Sequence, residues 1–265
     1  PTAVGQSAEK IVPDDADRKR FYRLAPALLP RLLQARGYRT TAIGNNFFLL
    51  GYPAIGLDLG FAEVDDVRHP VRDTPAIARS AVRFLERNKD RPFFLHLHFD
   101  GTHWPYTPPD KYLTRRALSG WKGDPQLDRD PMWQQYLGEA AYTDDYVGRV
   151  LAALERLGLS QRTLVVIVGD HGEVFDRKHD YVVEALGFRT VHHHGWSAYD
   201  ELVRVPLVVS MPGTIAPTVV SPQVRSFDIT PTILDYLGVN DATLPGRGRS
   251  LRPLIEGHAE TEERI

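Results

Sequence analysis

The stretch Thr163 to Glu173, TLVVIVGDHGE, sets a carboxylate beside an imidazole at Asp170 and His171, straight after a run of apolar β-formers. Together they offer an oxygen and a nitrogen donor to a divalent cation. A second stretch has the same form, for Phe93 to Phe99 runs into Asp100, Gly101, Thr102, His103, Trp104, Pro105 and Tyr106. Here His103 supplies a proton donor between aromatic walls, in a turn stiffened by Pro105, while His96 and His98 read as packed strand residues. A third group, His192, His193 and His194 before Gly195, could bind metal or form a solvated loop, and its spacing leaves both open. Asp170 and His171 also have a plain alternative, a capped turn and a surface histidine. A Ser-His-Asp hydrolase and a nucleotide phosphate loop are disfavoured, because neither G-x-S-x-G nor G-x-x-x-x-G-K-[ST] occurs.

Such residues need a scaffold that gathers strand tips on one rim. Strand-like and helix-like runs alternate from about residue 24 to 240, which predicts an α/β fold with a largely parallel central sheet and helices on both faces. Leu164 to Gly169 is apolar enough to be buried on both faces, and in open α/β sheets ligands bind beyond the carboxyl ends of strands. A helix is predicted over Leu28 to Arg36, with Pro30 in its first turn and Gly37 as its stop, then a strand over Arg39 to Gly44. Thr74 and Pro75 signal a second helix, whose Ile77, Ala81, Phe84 and Leu85 recur at helical spacing. A third runs from about Glu139 to Leu157 with Val147, Val150, Leu151, Leu154 and Leu157 as one apolar stripe, and Gly158 ends it. Pro206 to Ser210 reads as a strand, Asp228 to Leu237 as a helix, and Pro105 to Pro131 as a long loop.

A chain of 265 residues with 42% hydrophobic and 25% charged residues has room for one large core. Its net charge of -2 argues against a nucleic-acid partner. With no cysteine there is neither a disulfide nor a thiolate nucleophile in these residues. No apolar run is long enough to span a bilayer, so no membrane segment is expected. Pro1 is not an initiator Met and the chain stops at Ile265; the expectation is one domain over residues 1–265, truncated at the N-terminus and at the C-terminus.

Several ordered blocks resemble the sulfatase family of the alkaline-phosphatase-like superfamily over nearly the whole chain. LLPRLLQARGYRTTAIG is similar to the helix and strand after that family's nucleophile segment, and FFLHLHFDGTHWPY to its substrate-histidine block. AYTDDYVGRVLAALERLGLSQRTLVVIVGDHGE is similar to its second metal block, and HGWSAYDELVRVPLVVSMPG and SFDITPTILDYLGV follow in family order. The resemblance implies that Asp170 and His171 are metal ligands, that His103 contacts the anionic ester or protonates the leaving oxygen, and that His194 holds a basic substrate-side position. A divalent cation and imidazoles would stabilise charge developing on ester oxygens. The implied cofactor is one divalent ion, Ca by resemblance, with Mn or Zn as alternatives because His171 brings nitrogen. The implied partner is a small-molecule or glycan sulfate ester, or a phosphate ester.

The sequence departs from the family in two places. The acidic pair of the first strand and the Cys or Ser that becomes formylglycine belong upstream of Pro1, so these residues by themselves are expected to be inactive. At Gly44-Asn45-Asn46-Phe47, where many arylsulfatases have Gly-Lys-x-His, two cationic contacts are missing. Asn45 and Asn46 would bind substrate through neutral hydrogen bonds, weaker than charge-assisted ones. A phosphodiesterase, phosphonate monoester hydrolase or headgroup transferase of the same superfamily, or a non-catalytic remnant of the fold, are the competing expectations.

Overall fold

The computed structural model describes residues 23, 27–45, 60–67, 73–113, 129–176, 179, 181–183, 188–190, 194–195, 197–239, 248–258 and 264. Their helices are Leu29–Gln34 (α1), Thr74–Asn88 (α2), Asp110–Leu113 (α3), Pro131–Arg156 (α4), Asp200–Val203 (α5), Ile229–Tyr236 (α6) and Arg252–Ile255 (α7). Their strands are Arg39–Gly44 (β1), Glu63–Asp66 (β2), Phe93–His98 (β3), Val165–Val168 (β4), Tyr181–Val183 (β5), Phe188–Thr190 (β6) and Leu207–Ser210 (β7).

β1 is the centre of a parallel three-stranded sheet ordered β2-β1-β3. Its register pairs Arg39 with Phe93 and Gly44 with His98, so β1 and β3 end level and send Asn45 and Phe99 to the same rim. Successive β3 side chains alternate between the faces. Phe93, Leu95 and Leu97 join Ile43 and the α2 and α4 side chains Ile77, Ala81, Leu85, Val150 and Leu154 in one core. Phe94 joins Leu32 and Leu33 of α1 and Leu234 of α6 in another. Helices therefore cover both faces of the sheet, as the sequence predicts. Ile77 and Leu85 are almost wholly buried, and each such side chain contributes about 1.5–3 kcal/mol.

The helix ends follow from local chemistry. Asp73, not Thr74, caps α2: its Oδ1 accepts the Ala76 N–H at 2.8 Å, with Pro75 in the first turn. Asp130 does the same for α4, accepting from Met132 N at 2.8 Å ahead of Pro131. That cap starts α4 at Pro131, well before the predicted Glu139. The predicted loop Pro105 to Pro131 also holds the short helix α3, and its residues 114–128 lie outside the described ones. Gly37 (φ +83°) and Gly158 (φ +68°) end their helices in the left-handed region, where a side chain would be strained.

β4 is where the prediction fails. It pairs with β7, antiparallel, from Val165 opposite Ser210 to Val168 opposite Leu207. Two-sided burial was expected, yet Ile167 and Val168 are 38% and 41% exposed. The core between α2 and α4 reaches along this strand only to Val165, so among the described residues no apolar layer covers those nearer its tip. β5 and β6 form a separate antiparallel pair.

Beyond β7, a 3₁₀ turn at Ser226–Asp228 leads into α6 and is locked by charge. The Asp228 carboxylate is fully buried between Arg225 (3.2 Å) and Arg264 (3.0 Å) and accepts the Arg249 N–H at 2.9 Å. Burial pushes this carboxyl up, but the Arg249 N–H and the two guanidiniums outweigh it and hold it below the ordinary carboxylate range. Among the described residues, no helix is long and apolar enough to cross a membrane.

Candidate active site

The tips of β3 and β4 open onto a cleft of about 200 Å³, lined among others by His98, Asp100, His103, Asp170, His171 and His194. Four residues singled out in the sequence thus meet in one place. The His171 and His194 rings stack with centroids 3.8 Å apart, and His103 meets His194 edge-on at 5.4 Å.

Asp170 and His171 are arranged as a pair of donors. His171 Nδ1 lies 2.8 Å from the Gly172 carbonyl, which can only accept, so Nδ1 carries the proton and Nε2 keeps its lone pair. That Nε2 stands 3.7 Å from Asp170 Oδ2, a gap that one cation about 2.0–2.6 Å from each atom spans. The other Asp170 oxygen accepts the His171 N–H at 2.9 Å and fixes the carboxylate's direction. The donor chemistry therefore fits half of a divalent-cation shell. No group of three His, Cys, Asp or Glu able to hold a metal is found among the described residues. Among the described residues the cleft is lined by three carboxylates, Asp100, Asp170 and Glu173, and by no Lys or Arg, so an added cation would offset their repulsion of an anionic ester.

The flanking loops hold these groups in place. Gly172 N donates to Leu202 O at 2.8 Å, and the Glu201 carboxylate accepts from Phe175 N and Asp176 N at 3.3 and 3.4 Å. Phe175 packs against Trp133 and Tyr136 of α4 with centroids 4.8 and 5.0 Å away. Glu173 is buried; its Oε2 accepts from Tyr106 OH at 2.9 Å and its Oε1 faces His194 Nδ1 at 3.3 Å. The hydrogen bond to Glu173 raises the His194 pKa, against the effect of burial and with help from nearby carboxylates. His103 Nδ1 is 2.7 Å from the Trp104 carbonyl and donates to it.

Asn45 sits at the β1 tip, 8% exposed, outside the lining of the cleft, and neither Nδ2 nor Oδ1 has a hydrogen-bond partner among the described residues. Asn46, Phe47, His192 and His193 lie outside the described residues. His96 rests against the Phe61 ring at 5.9 Å and does not line the cleft. His98, read from sequence as a packed strand residue, does line it, 4.0 Å from Asp100; burial lowers its pKa while Asp100 and Asp170 oppose that. Sequence reasoning also passed over Tyr136 and Glu173. A signal existed for Glu173, three residues after Asp170, but none for Tyr136, whose place depends on how α4 packs.

Helices on both faces of a parallel sheet, with a metal-capable pair and imidazoles gathered where the tips of β3 and β4 meet, define an alkaline-phosphatase-like α/β fold. A protein of the alkaline phosphatase superfamily from Vibrio parahaemolyticus has the same fold, with a TM-score of 0.58 at 18% identity over 84% of this chain and 50% of that one. The sulfatase family model matches residues 22–239, and the chain belongs to the sulfatase family. It is 31% identical over 260 residues to the steryl-sulfatase of Mus musculus, covering 91% of this chain and 38% of that enzyme. A solved structure in complex with its substrate D-glucosamine-2-N,6-O-disulfate matches with a TM-score of 0.65 at 19% identity, over 89% of this chain and 65% of the other. The chain thus spans well under half the length of the mouse enzyme. Enzymes of this family generally depend on a divalent metal.

Proposed function

We propose that the chain forms, as a single sulfatase-like domain, part of a metal-dependent hydrolase of sulfuric esters that acts on a small-molecule or glycan sulfate. The observation that carries this is the convergence of Asp170 Oδ2 and His171 Nε2, 3.7 Å apart, in a cleft shared with His103 and His194. Asp170 and His171 would hold the cation, which when bound supplies positive charge to the ester oxygens. Ca is the proposed ion, with Mn or Zn as alternatives given the nitrogen donor. With its Nδ1 proton given to Trp104, His103 exchanges a proton with the leaving oxygen through Nε2. His194, made more basic by Glu173, places positive charge against a non-bridging oxygen. Asn45 and Asn46 would add neutral donors beside the cleft, Asn45 having a buried amide with no partner among the described residues.

The 265 residues hold no identifiable nucleophile of the sulfatase kind: there is no Cys, and no Ser stands in an S-x-P/A-x-R context. Turnover therefore requires a group from outside this stretch, and the chain assayed alone should be inactive. Phosphate-ester chemistry, as in a phosphodiesterase, phosphonate monoester hydrolase or headgroup transferase, is the second reading, favoured by the neutral Asn45 where many arylsulfatases have lysine. Assays of the longer parent protein with an aryl sulfate and a bis-aryl phosphate separate them. Faster turnover of the sulfate supports the first reading, and turnover of the phosphate alone overturns it. Metal-dependent hydrolysis by this chain alone would refute the external nucleophile.

A further inference from the structure

We propose that Glu173 is a positioning residue, whose buried carboxylate accepts the Nδ1 proton of His194 and so fixes that ring with Nε2 as the atom offered to the cleft. This rests on the reading above only in giving His194 a substrate to face. The His194 ring lies between two other imidazoles, stacked on His171 and edge-on to His103. Ring-to-ring contacts of that kind are nearly indifferent to a half-turn of the imidazole about its bond to Cβ. A hydrogen bond is not, and the structure gives His194 one, from Nδ1 to Glu173 Oε1 at 3.3 Å. An ionised carboxylate can only accept, so the proton in that bond belongs to Nδ1.

Glu173 is well placed to impose that choice, because it is itself held on several sides. Its side chain is 4% exposed, and a buried carboxylate must keep its hydrogen-bond partners. Tyr106, from the loop that carries His103, donates to its other oxygen at 2.9 Å. The preceding residue, Gly172, is tied to Leu202, and the backbone of Phe175 and Asp176 to Glu201. Glu173 thus links the His103 loop, the loop after β4 and His194, and a rotation of the His194 ring would leave its Oε1 facing carbon. The ordinary alternative is a loop staple that binds Tyr106 and has no say over the imidazole.

The two are separated by long-range ¹⁵N–¹H correlation spectra of histidine-labelled chain, recorded at a pH where the imidazoles are neutral, with His194 assigned from the signals lost in His194→Gln. The expected wild-type result is the Nδ1–H tautomer, the opposite of the form a free imidazole side chain favours in water. Glu173→Ala should return His194 to the Nε2–H tautomer, while Tyr106→Phe, which keeps the carboxylate, should leave Nδ1–H in place. A wild-type Nε2–H tautomer, or Nδ1–H retained in Glu173→Ala, overturns the proposal. Should Glu173→Ala not fold, the wild-type and Tyr106→Phe spectra decide it. The tautomer is read without turnover, so loss of the hydrolase reading and loss of this one would be told apart.

Discussion

The backbone N–H of Gly172 meets the carbonyl of Leu202 at 2.8 Å, a bond that ties the loop bearing Asp170 and His171 to α5. The approach is close enough that a Cβ at position 172 would stand 1.9 Å from the Glu201 carbonyl oxygen. Since that neighbour is backbone, Gly172→Ala must displace the loop. It should cost about 1–3 kcal/mol in urea unfolding and weaken divalent-cation binding about tenfold or more, roughly 1.4 kcal/mol. An unchanged unfolding midpoint would show that the loop is not anchored here.

The Asp228 network carries a pH dependence of definite sign. Its carboxyl titrates below the ordinary range in the folded chain, against about 3.9 when unfolded. The stabilisation is therefore complete above the unfolded value and is lost as pH falls through the folded one. Asp228→Asn leaves Arg225 and Arg264 buried without their counter-charge, a loss of about 3–5 kcal/mol. Urea midpoints measured from neutral pH downward should fall steeply at the acid end for the wild type and less steeply for the variant. Parallel curves would remove the network from the account of acid stability.

Asn45 should respond in the unusual direction. Both polar atoms of its side chain are buried without partners among the described residues, a state that costs about 1–3 kcal/mol. Asn45→Leu is thus expected to be neutral or stabilising in the isolated chain, by up to about that amount. A clear loss of stability would mean that the amide serves the fold and not a ligand.

Much of this architecture was legible in the residues. The strands at Arg39–Gly44 and Phe93–His98 and the stops at Gly37 and Gly158 stand where the patterns put them, because each is set by neighbours a few positions away. The early start of α4 is also local, set by Asp130 and Pro131, but these residues close a Pro- and Asp-rich segment that reads as loop. The exposure of Ile167 and Val168 was not legible, since composition shows that a strand tolerates two-sided burial but not whether a second layer covers its tip. At the cleft, Asp170, His171 and His103 could be found because each lies within a few residues of a strand's carboxyl end. Glu173 lay three residues after Asp170 and was within reach of the same signal, but Tyr136 and His98 were not, because their places come from packing between α4, the loops and the sheet rim.

The most direct test of the central claim is calorimetric titration of the longer parent protein with Ca, Mn and Zn, repeated on Asp170→Asn and His171→Ala. One divalent ion per chain is expected for the wild type, with each substitution lowering affinity at least about tenfold. No binding of any of the three ions, or binding unaffected by both substitutions, would contradict a metal site at Asp170 and His171 and favour a non-catalytic form of the fold.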